Sequence, residues 1–89
     1  MNMQTFKKLP VQFSGIGEVK GYEFTQISTT YSGFCYEVNI SGTITHYEVF
    51  NRKINTRFNC ESYPTSKAFG IWAWTCRTKE KAIEKLNNL

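Results

Sequence analysis

The sequence has no aspartate, a single histidine (His46) and three cysteines among its 89 residues. Catalytic and metal sites are built mainly from Asp, Glu, His and Cys side chains, so most of their usual combinations are excluded. Cys35, Cys60 and Cys76 form no C-x-x-C pair of the kind typical of zinc sites. The GIG stretch at 15–17 lacks the third glycine of a dinucleotide-binding loop. We therefore predict no metal site, no cofactor and no catalytic residues.

Long apolar runs are also missing. No segment approaches the ~20 apolar residues that a membrane-spanning helix needs. The opening residues, MNMQTFKKLP, have a basic start without the apolar stretch that follows it in a secretory signal. An odd number of cysteines without a secretory route is typical of reduced thiols in the cytoplasm. We expect one domain over residues 1–89, located in the cytoplasm.

Aromatic residues are plentiful: the chain contains seven Phe, five Tyr and two Trp. A domain of this length buries only roughly 60–65% of the surface that its unfolded chain exposes. Large side chains are an economical way to fill such a small core. This composition also disfavours a disordered chain.

The clearest local pattern is the alternation of apolar and other residues in GFCYEVNI (33–40). Ser41-Gly42 follows as a turn, and TITHYEVF (43–50) resumes the alternation, which predicts an antiparallel hairpin. With a two-residue loop, Ile40 pairs with Thr43.

The same register pairs Val38 with Thr45, Tyr36 with Tyr47 and Phe34 with Val49. It places Cys35, Glu37 and His46 on the opposite face, where they would form the parts of a Cys–His–Glu nucleophilic site. A flat two-stranded surface offers no cleft for a substrate. We therefore interpret these residues as packing and predict a non-enzymatic protein.

The flanking segments complete the predicted fold. Residues 20–28 resemble another strand, residues 70–76 a strand after a short helical turn, and residues 78–89 a helix with Thr78 as N-cap. We predict an α+β fold: an antiparallel sheet of about four strands with a C-terminal helix packed on one face. In strand 70–76, Trp72 and Trp74 share a face, and the helix decides whether they belong to the core or to a partner surface. The first 18 residues give no firm prediction.

Basic residues concentrate in the second part of the chain. Residues 52–89 contain eight Lys and Arg against three Glu, whereas residues 1–51 contain three Lys against four Glu. Basic side chains attract anionic partners, and neighbouring aromatic rings anchor interfaces or stack on unpaired bases. The candidate partner-binding residues are Arg52, Lys53, Arg57, Tyr63, Lys67, Trp72 and Trp74.

The wording YEVFNRKIN…SYPTSKAFGIWAWT, within residues 47–75, resembles small uncharacterised proteins of phages and mobile elements. Short aromatic-rich proteins of this kind include the anti-CRISPR inhibitors of host defence. The resemblance implies an inhibitor that masks a host protein, such as a CRISPR effector or another nucleic-acid-guided nuclease, in the cytoplasm of a bacterial host cell. It assigns no role to individual residues.

The segment GIWAWTCRTKEKAIEKL (70–86) is similar to the end of plant AP2 domains and integrase N-terminal domains. In those domains a three-stranded sheet reads the DNA major groove and a helix backs it. The predicted strands here carry few arginines. This resemblance implies the alternative function, a basic nucleic-acid-binding β-sheet domain that contacts DNA or RNA. A small hydrolase or nuclease around His46 is a third hypothesis.

Overall fold

The computed structural model describes residues 6–89 and has, over that range, an α+β fold of seven strands and one α-helix. The elements are β1 (Gln12–Ser14), β2 (Tyr22–Thr29), β3 (Gly33–Ile40), β4 (Thr43–Asn51), β5 (Ile54–Asn55), β6 (Cys60–Glu61), β7 (Ala73–Cys76) and α1 (Lys79–Asn87). The main sheet is antiparallel with strand order β1-β2-β3-β4-β7, and β5 and β6 form a separate small hairpin.

The predicted class is confirmed: an antiparallel sheet carries a terminal helix on one face. In the described part of the chain the main sheet has five strands, one more than the four or so predicted. The additional strand is β1, whose three residues are too few to show a period. Its Phe13 ring stacks on Phe24 of β2 at 4.7 Å between centroids. The sequence gives no firm prediction for residues 1–18, and residues 1–5 of this segment lie outside the described residues.

The turn between β3 and β4 is built as predicted. Ser41 and Gly42 both adopt positive φ angles, 52° and 88°, which suit a two-residue hairpin loop. The Asn39 side-chain oxygen accepts a hydrogen bond from the Gly42 N–H at 2.9 Å. Ile40 pairs with Thr43, in agreement with the predicted loop.

Beyond the turn, a β-bulge changes the register. Asn39 pairs with Ile44 and Val38 with His46, which leaves Thr45 as an extra residue on β4. An extra residue moves every later side chain of its strand to the other face. The predicted pairs Val38–Thr45, Tyr36–Tyr47 and Phe34–Val49 are therefore wrong. The structure pairs Val38 with His46, Tyr36 with Glu48 and Phe34 with Phe50.

One face of the sheet, the aromatic face, carries the larger core. Its buried sheet residues are Phe24, Phe34, Tyr36, Val38, Phe50 and Ala73. The segment between β6 and β7 packs over this face through Tyr63, Ala68, Phe69 and Trp72. The Tyr63 ring meets four rings edge-on at 4.8–5.3 Å between centroids: Phe13, Phe24, Tyr36 and Phe50. Edge-to-face contacts add to the area that these rings bury.

The opposite face, the helix face, carries the smaller core. Cys35 and Val49 pack against Ala82 and Leu86 of α1, and all four are at most 1% exposed. The predicted N-cap is confirmed, because the Thr78 hydroxyl oxygen accepts a hydrogen bond from the Lys81 N–H at 3.2 Å. Such a cap satisfies one of the free N–H groups at the start of a helix.

The two tryptophans lie on opposite sides of the sheet, so the prediction of a shared face is wrong. Gly70, at φ 89°, helps form a turn in which its N–H donates to the Ala73 carbonyl at 2.7 Å, and β7 begins only at Ala73. Trp72 therefore precedes the strand and packs near Phe50 in the aromatic core. Trp74 pairs with Val49 and lies on the helix face.

Deletion of Thr45 tests the bulge. It removes the unpaired residue while every other β4 residue keeps its partner, so we expect cooperative unfolding to persist. The loss should be about 1–2 kcal/mol, because the Thr45 hydroxyl lies within hydrogen-bond distance of the Val38 carbonyl (3.3 Å) and of His46 Nδ1 (2.8 Å). Deletion of Glu37 in β3, which has no bulge at that point, should abolish cooperative folding, since it turns neighbouring core residues to the wrong face. Urea unfolding followed by tryptophan fluorescence measures both. Equal damage from the two deletions would contradict the bulge.

Candidate partner-binding surface

Arg52 is predicted as a partner contact, but in the structure its guanidinium makes contacts within the protein. It pairs with the Glu61 carboxylate, and it donates hydrogen bonds to the Thr30 carbonyl at 2.7 Å and the Tyr31 carbonyl at 3.1 Å. It also lies 4.4 Å from the centroid of the Phe34 ring. Arg52 thus joins the end of β4 to β6 and to the turn between β2 and β3.

Glu61 is the reason why Arg52 is held so firmly. The Glu61 side chain is only 6% exposed, and its second oxygen accepts a hydrogen bond from the Leu9 N–H at 2.9 Å. A buried carboxylate is costly unless it is paired and hydrogen-bonded. Arg52 supplies that pairing and is therefore a structural residue.

Tyr63, also predicted as a partner contact, is committed to the aromatic core. Its hydroxyl donates to a Glu48 carboxylate oxygen at 2.7 Å, and its ring contacts four other aromatic rings. Burial raises the pKa of this hydroxyl far above its ordinary value, and the negative charge of Glu48 raises it further. The ring is half-buried and its edges pack against core residues, so Tyr63 is a structural residue.

Three of the predicted cations remain on the surface: Lys53, Arg57 and Lys67 are all exposed. The Lys53 ammonium lies 5.1 Å from the centroid of the half-buried Trp72 ring. The Arg57 guanidinium lies 5.3 Å from the centroid of Phe58, which is 66% exposed. We call Lys53, Arg57, Phe58 and Trp72 the basic–aromatic edge, since three of them lie on or beside the β5–β6 hairpin and Trp72 contacts Lys53.

The hairpin tip is held in place locally. The Asn55 side-chain oxygen accepts hydrogen bonds from the N–H groups of Arg57 and Phe58, at 3.0 and 3.2 Å. Asn59 adopts a positive φ of 50°, which asparagine tolerates better than most residues. These contacts project Phe58, which the sequence-based prediction did not include. In the sequence, a phenylalanine between a basic residue, Arg57, and a turn-forming residue, Asn59, is the pattern that indicates an exposed ring.

The remaining predicted residue, Trp74, lies away from this edge. Its ring is on the helix face, with the Lys85 ammonium 4.2 Å from its centroid. Lys67 lies on the 3-10 turn Ser66–Ala68. The seven predicted residues therefore do not form one surface. Arg52 and Tyr63 are structural, Trp74 lies on the helix face, and Lys67 lies on the 3-10 turn. Lys53, Arg57 and Trp72 belong to the basic–aromatic edge.

The Cys–His–Glu arrangement considered from the sequence is not assembled. Cys35 is fully buried on the helix face, where burial raises the pKa of its thiol from 9.0 to about 12. The bulge at Thr45 turns His46 to the aromatic face instead. There its Nε2 lies 3.1 Å from a Glu48 oxygen and its Nδ1 lies 2.8 Å from the Thr45 hydroxyl.

Among residues 6–89, no three His, Cys or Glu side chains are grouped so as to hold a metal ion. In the same part of the chain, no helix has the length and apolar character required to cross a membrane.

No protein family, curated protein or solved structure matches this chain.

Arg52→Ala tests the structural role of Arg52. We expect a loss of about 2–3 kcal/mol in the free energy of unfolding, because Glu61 is left buried and unpaired. The neighbouring Lys53→Ala should cost less than about 0.5 kcal/mol, since Lys53 is exposed. Chemical denaturation of both variants provides the comparison. If both changes cost the same, Arg52 is not the structural residue described here.

Cys35 should make stability fall at high pH. The unfolded thiol ionises near pH 9.0, whereas the folded thiol keeps its proton to about pH 12. The stabilisation is therefore complete below pH 9 and is lost as the pH rises toward 12. We expect Cys35→Ala to lose less unfolding free energy than the parent between about pH 8 and about pH 11. Superimposable pH profiles for the two proteins would rule this out.

Proposed function

We propose that the protein is a non-enzymatic inhibitor that binds an acidic surface of a partner protein through the basic–aromatic edge. The observation that carries this proposal is the pairing of exposed cations with aromatic rings: Arg57 lies beside the exposed Phe58, and Lys53 lies beside the half-buried Trp72. Aromatic rings and arginine are the side chains that most often anchor protein interfaces. The surrounding positive charge would steer the protein toward an acidic partner.

The class of partner follows from the resemblance of residues 47–75 to phage and mobile-element proteins. We propose a CRISPR effector or another nucleic-acid-guided defence nuclease, encountered in the cytoplasm of a bacterial host cell. The net charge of +4 argues against mimicry of nucleic acid. An inhibitor of this charge would instead cover an acidic protein face of the nuclease.

The coverage of the sheet favours a protein partner over the nucleic-acid alternative. A domain that reads DNA with its sheet needs one open face. Here α1 packs on the helix face over β3, β4 and β7, and the segment between β6 and β7 packs on the aromatic face, so the centre of each face is covered. The nucleic-acid alternative therefore depends on the basic–aromatic edge, where Phe58 beside Arg57 is suited to stacking on an unpaired base.

Arg57→Glu tests the proposed edge, with Lys20→Glu as the matched control. Both residues are exposed, and both changes alter the net charge equally. Lys20 immediately precedes β2 and is not part of the basic–aromatic edge, whereas Arg57 lies in the β5–β6 hairpin. We expect the parent protein and the control to bind a nuclease component from host lysate and to inhibit its cleavage of target nucleic acid. Arg57→Glu should weaken both effects by at least about tenfold.

Two results would overturn the proposed function. Equal inhibition by both variants would show that the edge is not the interface. Binding of a labelled single-stranded DNA or RNA at low salt, lost at high salt and in Arg57→Glu, would support the nucleic-acid alternative, because phosphate contacts release counterions. Mass spectrometry of the captured proteins identifies the partner.

A further inference from the structure

The aromatic face has an open cleft of about 880 Å³ between the loop after β1 and the segment after β6. Its walls are mainly apolar and include the rings of Phe13, Phe24, Tyr63 and Phe69. Ligand-binding clefts generally have about 300–1,000 Å³ and are lined by apolar and aromatic side chains with a few polar groups. The cleft therefore has the size and the lining of a small-molecule site.

The charged groups that line the cleft are both acidic. Glu48 of β4 lines it from the sheet, and Glu18 lines it from the 3-10 turn Gly17–Val19. Among the described residues that line the cleft there is no Lys or Arg. Two carboxylates would repel an anionic ligand, whereas they would attract a cation.

Glu48 is held in a fixed orientation. Its side chain is 13% exposed. One oxygen accepts a hydrogen bond from the Tyr63 hydroxyl at 2.7 Å, and the other lies 3.1 Å from His46 Nε2. Each carboxylate oxygen has a second lone pair for another donor. Such fixed positioning lowers the cost of binding, because little side-chain freedom remains to be lost.

The rings beside Glu48 favour the same kind of ligand. The faces of aromatic rings attract cations, and rings combined with a carboxylate recognise ammonium groups in proteins. We propose that the cleft binds a small organic cation, an ammonium or quaternary ammonium group on an apolar body. The charged group lies against Glu48, and the apolar body lies among Phe13, Phe24 and Phe69. This site does not overlap the basic–aromatic edge, and the proposal does not depend on the proposed function.

The test compares three probes of similar size on the unchanged protein. Benzyltrimethylammonium and phenethylammonium carry the cation, and phenylacetate carries the opposite charge. We expect the two cations to give saturable NMR shifts at the amides of Phe13, Phe24 and Phe69, and phenylacetate to bind at least about tenfold more weakly. Absence of saturable shifts with the cations, or equal binding of phenylacetate, would overturn the proposal without any variant.

Glu48→Gln then tests the carboxylate itself. Glutamine keeps an oxygen that can accept from Tyr63, so the fold should persist. We expect benzyltrimethylammonium to bind at least about tenfold more weakly. The matched control is Glu23→Gln on β2, an exposed residue that does not line the cleft and should leave binding unchanged. Equal affinities of Glu48→Gln and the parent protein would refute the role of Glu48. Arg57→Glu should also leave this binding unchanged, which separates a failure of this site from a failure of the partner surface.

Discussion

The extra residue in β4 is the constraint on which the rest of the molecule depends. Because Thr45 is an extra residue in the register of β3 with β4, Glu48 and Phe50 turn to the aromatic face and Val49 turns to the helix face. Without the bulge, Tyr47 and Val49 would crowd the aromatic face, and Glu48 would lie in the core under α1. The bulge thus determines which side chains each face carries. The helix face has small apolar residues under α1, and the aromatic face has rings and the Glu48 carboxylate under the segment between β6 and β7.

The two faces are closed by segments that pack in different ways. The helix closes its face with apolar contacts alone at the centre, namely Cys35, Val49, Ala82 and Leu86. The segment after β6 closes the aromatic face with Tyr63, and it is held there by the hydroxyl bond to Glu48. The Arg52–Glu61 pair fixes the start of that segment. Since both faces are occupied, the β5–β6 hairpin and the open end of the aromatic face are the places left for ligands.

The sequence predicts those features that depend on neighbouring residues. The alternation in 33–40, the Ser41-Gly42 turn and the Thr78 cap are local, and each matches the structure. The bulge is not visible, because Thr45 and His46 are both polar and the apolar residues of β4 fit either phase. Arg52 could not be separated from the exposed cations, since its partner Glu61 lies nine residues away in a turn-rich segment. The sequence predicts a shared face for Trp72 and Trp74 because its strand pattern extends through Gly70, where the structure forms a turn and β7 begins only at Ala73. The cleft joins residues of distant segments, so no single stretch predicts it.

The net charge of +4 does not indicate the local charge at either candidate site, the basic–aromatic edge or the cleft. Arg52 is neutralised by Glu61, and the exposed cations of the basic–aromatic edge lie apart from the carboxylates of the cleft. The two proposed sites would therefore select ligands of opposite charge. The two sites also differ in exposure. The charges of the basic–aromatic edge are exposed to solvent, so dissolved salt screens their interactions, with a Debye length of about 8 Å at physiological ionic strength. Glu48 is largely enclosed, and attraction to a cation there is screened less. A partner bound at the edge and a cation bound in the cleft should thus respond differently to salt, which is a physical reason to treat them as independent sites.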